Sequence, residues 1–317
     1  MSPFSKPTTE PDKVRVRLYR FDPAVDAAPR YEAYEVPHTP RMRIMDVLDY
    51  VHENMAVDFG YRWLCGSKKC GTCAVNVNGS PKLACWEEAE REMTIEPLSN
   101  MQVIRDLVTS RDAFEALLAR LSPMLVRKVE YPGFPEPLTA LQLAPTAHLR
   151  DCIQCLACQS VCPVLKQPDS GFAGPALLVA LSELAQDPRD GGDRARLAGE
   201  VAQVYKCVSC YECERVCPVE IPIVSEAIEP LKRIVYQAGG VAGARHARAF
   251  LQVVKARGYL NPALLALKTK GISLNALRLL LRMVPRGKID LGKAFLKRPA
   301  PGAKVIGKTY ESSEEVK

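Results

Sequence analysis

Polar and apolar side chains alternate along residues 14–20 (Val-Arg-Val-Arg-Leu-Tyr-Arg), and residues 31–36 repeat the alternation. Both are expected to be half-buried strands. Between 42 and 55 the period lengthens: Ile44, Val47, Leu48 and Val51 recur at the spacing of a helix with one apolar face. A cysteine-bearing loop follows. Beyond it come a short alternating strand at 74–77, the hairpin signal Asn78-Gly79, and two further short strands at 83–85 and 93–95.

From Ser110 onward the pattern is helical. Ser110 is a plausible N-cap before Ala113, Phe114, Leu117, Leu118 and Leu121. Residues 123–145 contain five prolines and predict an irregular connection. Helical periodicity returns at 175–186, 193–205 and 223–237, with Gly239-Gly240 ending the last run. Residues 241–298 are helical again, punctuated by Gly258, Gly271 and Gly287, and the stretch after Pro299 is expected to be loose.

The chain has 317 residues, 47% hydrophobic and 25% charged, as in a globular protein of two domains with an appendage. No stretch approaches the roughly 20 apolar residues of a membrane span. The longest candidate, 170–182, lies between Asp169 and Glu183. The first residues lack the apolar core of a secretory signal. The net charge of +7 is uneven: residues 235–317 carry 16 Lys+Arg and 4 Asp+Glu, so the tail is basic and the body acidic. Without aromatic interleaving or a known module, that tail does not suggest nucleic-acid binding.

All twelve cysteines fall into three spacings. Cys65, Cys70 and Cys73 form C-x4-C-x2-C, with Cys85 as a distant fourth. Cys152, Cys155, Cys158 and Cys162 form C-x2-C-x2-C-x3-C followed by Pro163. Cys207, Cys210, Cys213 and Cys217 repeat that motif before Pro218. Without a signal sequence, such thiols point to a reducing compartment and not to disulfides. The first spacing is that of a plant-type [2Fe–2S] cluster, and the repeated one that of paired [4Fe–4S] cubanes. Four thiolates also suit tetrahedral zinc, which the x4 spacing makes the weaker alternative.

In paired cubane motifs the fourth cysteine ligates the other cluster. The expected sets are therefore Cys152, Cys155, Cys158 and Cys217 for the first cubane, and Cys162, Cys207, Cys210 and Cys213 for the second. Gly66 and Gly71 let the backbone approach the first cluster and aim N–H groups at its sulfurs. His38, His52, His148 and His246 have no motif partner. Arg62 and Lys68 either tune the first cluster, contact a partner, or are solvated. No Walker or dinucleotide fingerprint is present, so no catalytic residue is expected here.

The run from Cys65 to Gly79, followed by Leu83-Ala84-Cys85, resembles the iron–sulfur subunits of succinate dehydrogenases and fumarate reductases. The likeness extends over about residues 12–236. It implies an electron-transfer subunit that relays single electrons between a FAD-containing flavoprotein and a membrane partner. It also implies a location on the cytoplasmic face of the membrane. Two departures stand out. Cys210 occupies a position where well-known members lack cysteine and hold [3Fe–4S]. Gln167 and Val208 stand where those members carry quinone-site Trp and His. Quinone is therefore expected to be reached only indirectly.

The two intact cubane motifs with the helical tail at 246–271 also resemble the small ferredoxin subunit of heterodisulfide reductases. That likeness implies a cysteine-rich acceptor subunit. The alternative is that the same wire serves another flavoprotein dehydrogenase or a heterodisulfide-reductase-like complex. Residues 274–284 place Arg278 and Arg282 on a leucine-rich helix, suited to packing on protein or to lying on anionic lipid.

The expected architecture is α+β. It comprises a β-grasp [2Fe–2S] ferredoxin domain at 1–107, an all-α domain with two cubanes at 108–238, and a basic helical extension at 239–317 for partner or membrane-surface docking.

Overall fold

The computed structural model describes residues 12–56, 58–167, 169–270, 278, 282, 285–286 and 298–315. They form two compact units, Met1–Leu231 and Lys232–Lys317.

In the first unit, β1 (Lys13–Arg20) and β2 (Arg30–Pro37) pair antiparallel, with Val14 opposite Val36. The alternation predicted this pairing: Val14, Val16 and Leu18 are buried, while Arg15 and Arg17 face solvent. α1 (Ile44–Asn54) buries Ile44, Val47, Leu48 and Val51, and the Asp46 carboxylate accepts from the Arg43 N–H at its start. β3 (Ala74–Val77) and β4 (Ser80–Leu83) form the expected hairpin. Asn78 and Gly79 both have positive φ, 51° and 80°, as a two-residue turn between twisted strands requires. With β5 (Glu92–Glu96) these strands form a mixed five-stranded sheet, ordered β2-β1-β5-β3-β4, in which only the β1–β5 pairing is parallel.

The end of β1 is anchored by a buried ion pair. Arg20 Nε donates to Asp106 Oδ1 at 3.0 Å, and Asp106 also accepts from the Phe21 and Gly60 N–H groups. A small ribbon, β6 (Val103–Arg105) and β7 (Val108–Thr109), leads to α2 (Asp112–Arg120). The Ser110 hydroxyl accepts from Asp112 N at 3.1 Å, just outside the helix.

The chain then crosses the proline-rich segment with only one-turn helices and enters the ligand-bearing helical region. Four expectations need correction. Residues 83–85 are not a strand: β4 ends at Leu83, and Ala84 and Cys85 turn away from the sheet. The run at 193–205 is broken into an α-turn (Arg194–Arg196), a wide turn (Leu197–Val201) and a 3₁₀ turn (Val204–Lys206). Ala202 N donates to Leu197 O, five residues back, which widens the helix. The run at 223–237 likewise opens with a wide turn, Ile223–Ile228, before the regular helix Glu229–Ala238.

In the second unit, the helix Ala242–Arg257 ends on Gly258, whose φ of 73° is the left-handed cap that glycine accepts. It packs against the helices Pro262–Lys270 and Ala303–Glu315. The last of these is the fourth correction, since the stretch after Pro299 was expected to be loose. The expected amphipathic helix at 274–284 lies largely outside the described residues. Among the described residues, no helix is long and apolar enough to cross a membrane.

Candidate metal centres

Among the described residues no three Cys, His, Asp or Glu side chains converge as a formed metal site, but the twelve thiols lie in three neighbourhoods. In the first, three backbone N–H groups converge on Cys65 Sγ: those of Ser67 (3.4 Å), Lys69 (3.3 Å) and Cys70 (3.3 Å). They lower the Cys65 thiol to about 6, with Cys70 beside it. Gly66 and Gly71, at φ 64° and 69°, give the loop its turns. Cys73 and Cys85 meet, because the turn after β4 brings Cys85 back against the start of β3. Burial first, then the neighbouring Cys85 and Cys70, push the Cys73 thiol up to about 12.

The second group crosses the repeat. Cys217, from the later motif, is an electrostatic neighbour of Cys152, Cys155 and Cys158, and Cys213 also bears on Cys158. Burial raises Cys155 to about 11 and pushes Cys158 well above its usual value. The Ile221 N–H points at Cys217 Sγ, 3.4 Å away.

In the third group, Cys162, Cys207, Cys210 and Cys213 line one small cavity with apolar walls that include Phe172 and Ile228. Val164 and Leu165 N–H groups face Cys162, and Ser209 N–H faces Cys207 Sγ at 3.4 Å. Cys210 is the exposed thiol of the twelve.

A lone thiolate in these buried positions is penalised by desolvation, and a cationic iron centre removes the penalty. Backbone N–H groups aimed at sulfur are the second requirement of a thiolate-held cluster. Both features fit iron–sulfur centres at these thiols.

The repeat is conformational as well as sequential. Gln154 and Leu156 have positive φ, and so do Ser209 and Tyr211 at matching places in the second motif. These left-handed residues direct the loop N–H groups inward. None is glycine, so composition gave no signal for them.

The two ligand-bearing regions of this unit are joined by a buried polar staple that sequence patterns did not disclose. Asn76 on β3 donates to Pro97 O (2.9 Å) and Ser99 Oγ (3.1 Å). Asn100 Nδ2 reaches Gln159 O (2.9 Å) and Ser160 O (3.0 Å) in the helix Ala157–Val161, between Cys155 and Cys162. Arg111 Nη1 donates to Gln154 O at 2.9 Å.

The remaining candidates separate by surroundings. Arg62 donates to Thr109 O, and Lys68 lies 5.3 Å from the Trp86 ring centroid. Trp63, Leu64 and Trp86 form an exposed apolar rim by the first group, with Leu64 75% exposed. Val208 is 65% exposed beside the third group, and Gln167 lies on an exposed turn. His148 pairs with Glu226 at 2.9 Å and His38 lies 3.6 Å from Asp12. His52 packs edge-on to Tyr61.

Comparison with known proteins gives a consistent picture. A 2Fe-2S iron-sulfur cluster binding domain family matches residues 15–116, and a 4Fe-4S dicluster domain family matches residues 148–221. One component of the fumarate reductase (CoM/CoB) of Methanothermobacter marburgensis is 34% identical over 227 residues, 71% of this chain and 45% of that protein. The fumarate reductase iron-sulfur subunit of Mycobacterium tuberculosis is 31% identical over 245 residues, 72% of this chain and 99% of that protein. A chain of the Mycobacterium smegmatis Sdh1 complex in the apo form superposes with a TM-score of 0.66 at 27% identity. That superposition covers 71% of this chain and 96% of the other. The chain spans 41 to 45% of the length of the longer relatives it matches.

Proposed function

This chain belongs to the family of iron–sulfur subunits of succinate dehydrogenases and fumarate reductases, and on that premise we propose that it relays single electrons between a FAD-containing flavoprotein and a second redox partner. Its N-terminal part is a β-grasp ferredoxin domain in which Cys65, Cys70, Cys73 and Cys85 hold a [2Fe–2S] cluster. Cys152, Cys155, Cys158 and Cys217 hold one [4Fe–4S] cluster, and Cys162, Cys207, Cys210 and Cys213 hold another. When bound, these clusters supply one-electron carriers. The protein supplies thiolates, N–H groups that stabilise charge on sulfur, and apolar walls that keep water away.

The observation that supports this assignment is the crossing of the repeat: Cys162 lines one cavity with Cys207, Cys210 and Cys213, and Cys217 acts electrostatically on Cys152, Cys155 and Cys158. It supports two interlocked cubanes over two separate four-cysteine sites. The exposed rim of Trp63, Leu64 and Trp86 suits docking of the flavoprotein beside the first cluster. The flavoprotein, and not this chain, holds the substrate.

Val208 and Tyr211 form the exposed surface beside Cys210, and Gln167 is also exposed. Without the Trp and His of a quinone pocket, the acceptor there is a protein, either a membrane anchor or a cysteine-rich partner. One relative is a component of a CoM/CoB fumarate reductase. Together with the missing quinone residues, this favours a variant in which the same wire serves a heterodisulfide-reductase-like complex.

Co-purification with its flavoprotein tests the function. The complex should contain about ten iron atoms per copy of this chain and should couple fumarate reduction or succinate oxidation to a dye. A fully loaded complex without either activity would sink the substrate assignment.

A further inference from the structure

Gly71 stands between two ligand loops. A β-carbon built on it would lie 2.7 Å from Ile153 O and 2.8 Å from both Cys155 Cα and Cys155 Cβ. Carbon atoms in ordinary contact stay about 3.5–4.0 Å apart, so any side chain here would part the loops by roughly 0.7–1.2 Å. Backbone conformation alone does not account for the glycine's environment. Gly66, in the same loop and at a similar φ of 64°, would place a β-carbon with nothing within 4 Å. The facing loop is also held by Arg111, which lines the same cavity as Gly71 and whose Nη1 donates to Gln154 O at 2.9 Å. Cys70, Gly71 and Thr72 also line one cavity together with Cys152 and Cys155.

We propose that Gly71 is a positioning residue for electron transfer. Its missing side chain sets the closest approach of the Cys70–Cys73 loop to the Cys152–Cys155 loop, and with it the gap an electron crosses between the first and second centres. This rests on the ligand assignment proposed above. In that step one electron leaves one centre and arrives at the other. No proton moves and no bond forms or breaks, so separation and electronic contact govern the rate. Arg111 acts in the same sense by clamping Gln154.

The test uses the full chain with its clusters loaded, one sample fully reduced by a low-potential photoreductant for EPR and one left oxidised so that a flash injects a single electron. Two quantities are read: the magnetic interaction between the two centres by EPR, and the inter-centre electron-transfer rate after flash reduction. Gly66→Ala sets the baseline for a strained [2Fe–2S] loop. Gly71→Ala should weaken the interaction and slow the transfer relative to that baseline, while each centre keeps its own g-values. Arg111→Ala should change both readouts in the same direction and by less. Equal coupling in Gly71→Ala and Gly66→Ala would overturn the proposal. If Gly71→Ala does not load iron, unchanged coupling in Arg111→Ala overturns it instead. An unmutated chain lacking the paired signals would bring down the ligand assignment, which is a separate failure.

Discussion

The Ser160 hydroxyl lies 3.3 Å from Asn76 Oδ1, to which it donates, and it accepts from the Ser99 N–H at 2.9 Å. Ser160 belongs to a ligand-bearing helix and Asn76 to strand β3 of the sheet, so one buried oxygen ties the two regions together. Replacing Ser160 by Ala leaves Asn76 Oδ1 and Ser99 N without this partner. The expected loss is about 1–3 kcal/mol, the cost of an unsatisfied buried polar group. Urea unfolding of Ser160→Ala, Asn76→Ala and the double variant should give a coupling energy of about 0.5 kcal/mol or more. Additive losses would mean that the contact does not tie the regions.

Acid sensitivity should concentrate at Asp190. Burial alone would raise its carboxyl, but Arg194 donates to both oxygens (2.9 and 2.8 Å), and the Val126 and Gly192 N–H groups add to this. The net result is a carboxyl held below its usual range. A depressed carboxylate stabilises the fold fully above its unfolded pKa and loses that contribution as pH falls through the folded value. Arg194 also holds the carbonyls of Leu121, Ser122 and Met124, so the loss would free the start of the proline-rich connection. Asp190→Ala strands a buried guanidinium, at a cost of about 3–5 kcal/mol at neutral pH. It should also flatten the acid limb of the stability curve, as followed by circular dichroism. An unchanged acid limb would contradict this role.

Cys210→Ser should convert the second cubane to a three-iron cluster. Iron per chain should fall from about ten to about nine. The oxidised protein should then show the three-iron EPR signal that the unmutated chain lacks. A strong three-iron signal in the undamaged, unmutated chain would refute the assignment of Cys210 as a ligand.

Gly258→Ala should loosen the C-terminal helix. A β-carbon there would stand 3.1 Å from Ala303 Cβ and 3.2 Å from Ala300 Cβ, at a φ that L-residues rarely adopt. A loss of at least about 1 kcal/mol is expected. Amide hydrogen exchange should rise within Ala303–Glu315 and remain unchanged in β1–β5. Uniform protection across the second unit would count against this packing.

The strands, α1 and the Asn78-Gly79 turn were legible because burial of one face imposes its period on the sequence. The two iron–sulfur domains were legible because a thiolate-held cluster fixes the spacing of its cysteines. The wide turns at Leu197–Val201 and Ile223–Ile228 were not, since one extra residue in a hydrogen-bond ring barely disturbs an apolar stripe. Residues 83–85 misled because the apolar Leu83-Ala84 matches a strand, whereas Cys85 must leave the sheet to reach Cys73. The left-handed turns at Gln154, Leu156, Ser209 and Tyr211 are imposed by the ligand loops and carry no glycine to mark them. The Asn76–Ser160 staple joins positions far apart in sequence, where no local pattern reaches. The helix Ala303–Glu315 depends on small residues meeting Gly258, a complementarity visible only in three dimensions.

The exchange of Cys162 and Cys217 between the two motifs has a bearing on biosynthesis. With the proposed ligand sets, the nascent chain offers only three thiolates to the first cubane until Cys217 leaves the ribosome. Cys162, already exposed to the cell, must meanwhile wait for Cys207, Cys210 and Cys213. Both cubanes therefore close in the same late interval, and a chain truncated before Cys217 would complete neither the first cluster nor the fold that surrounds it. On the same ligand sets the [2Fe–2S] loop, complete by Cys85, would be ready for iron much earlier than either cubane.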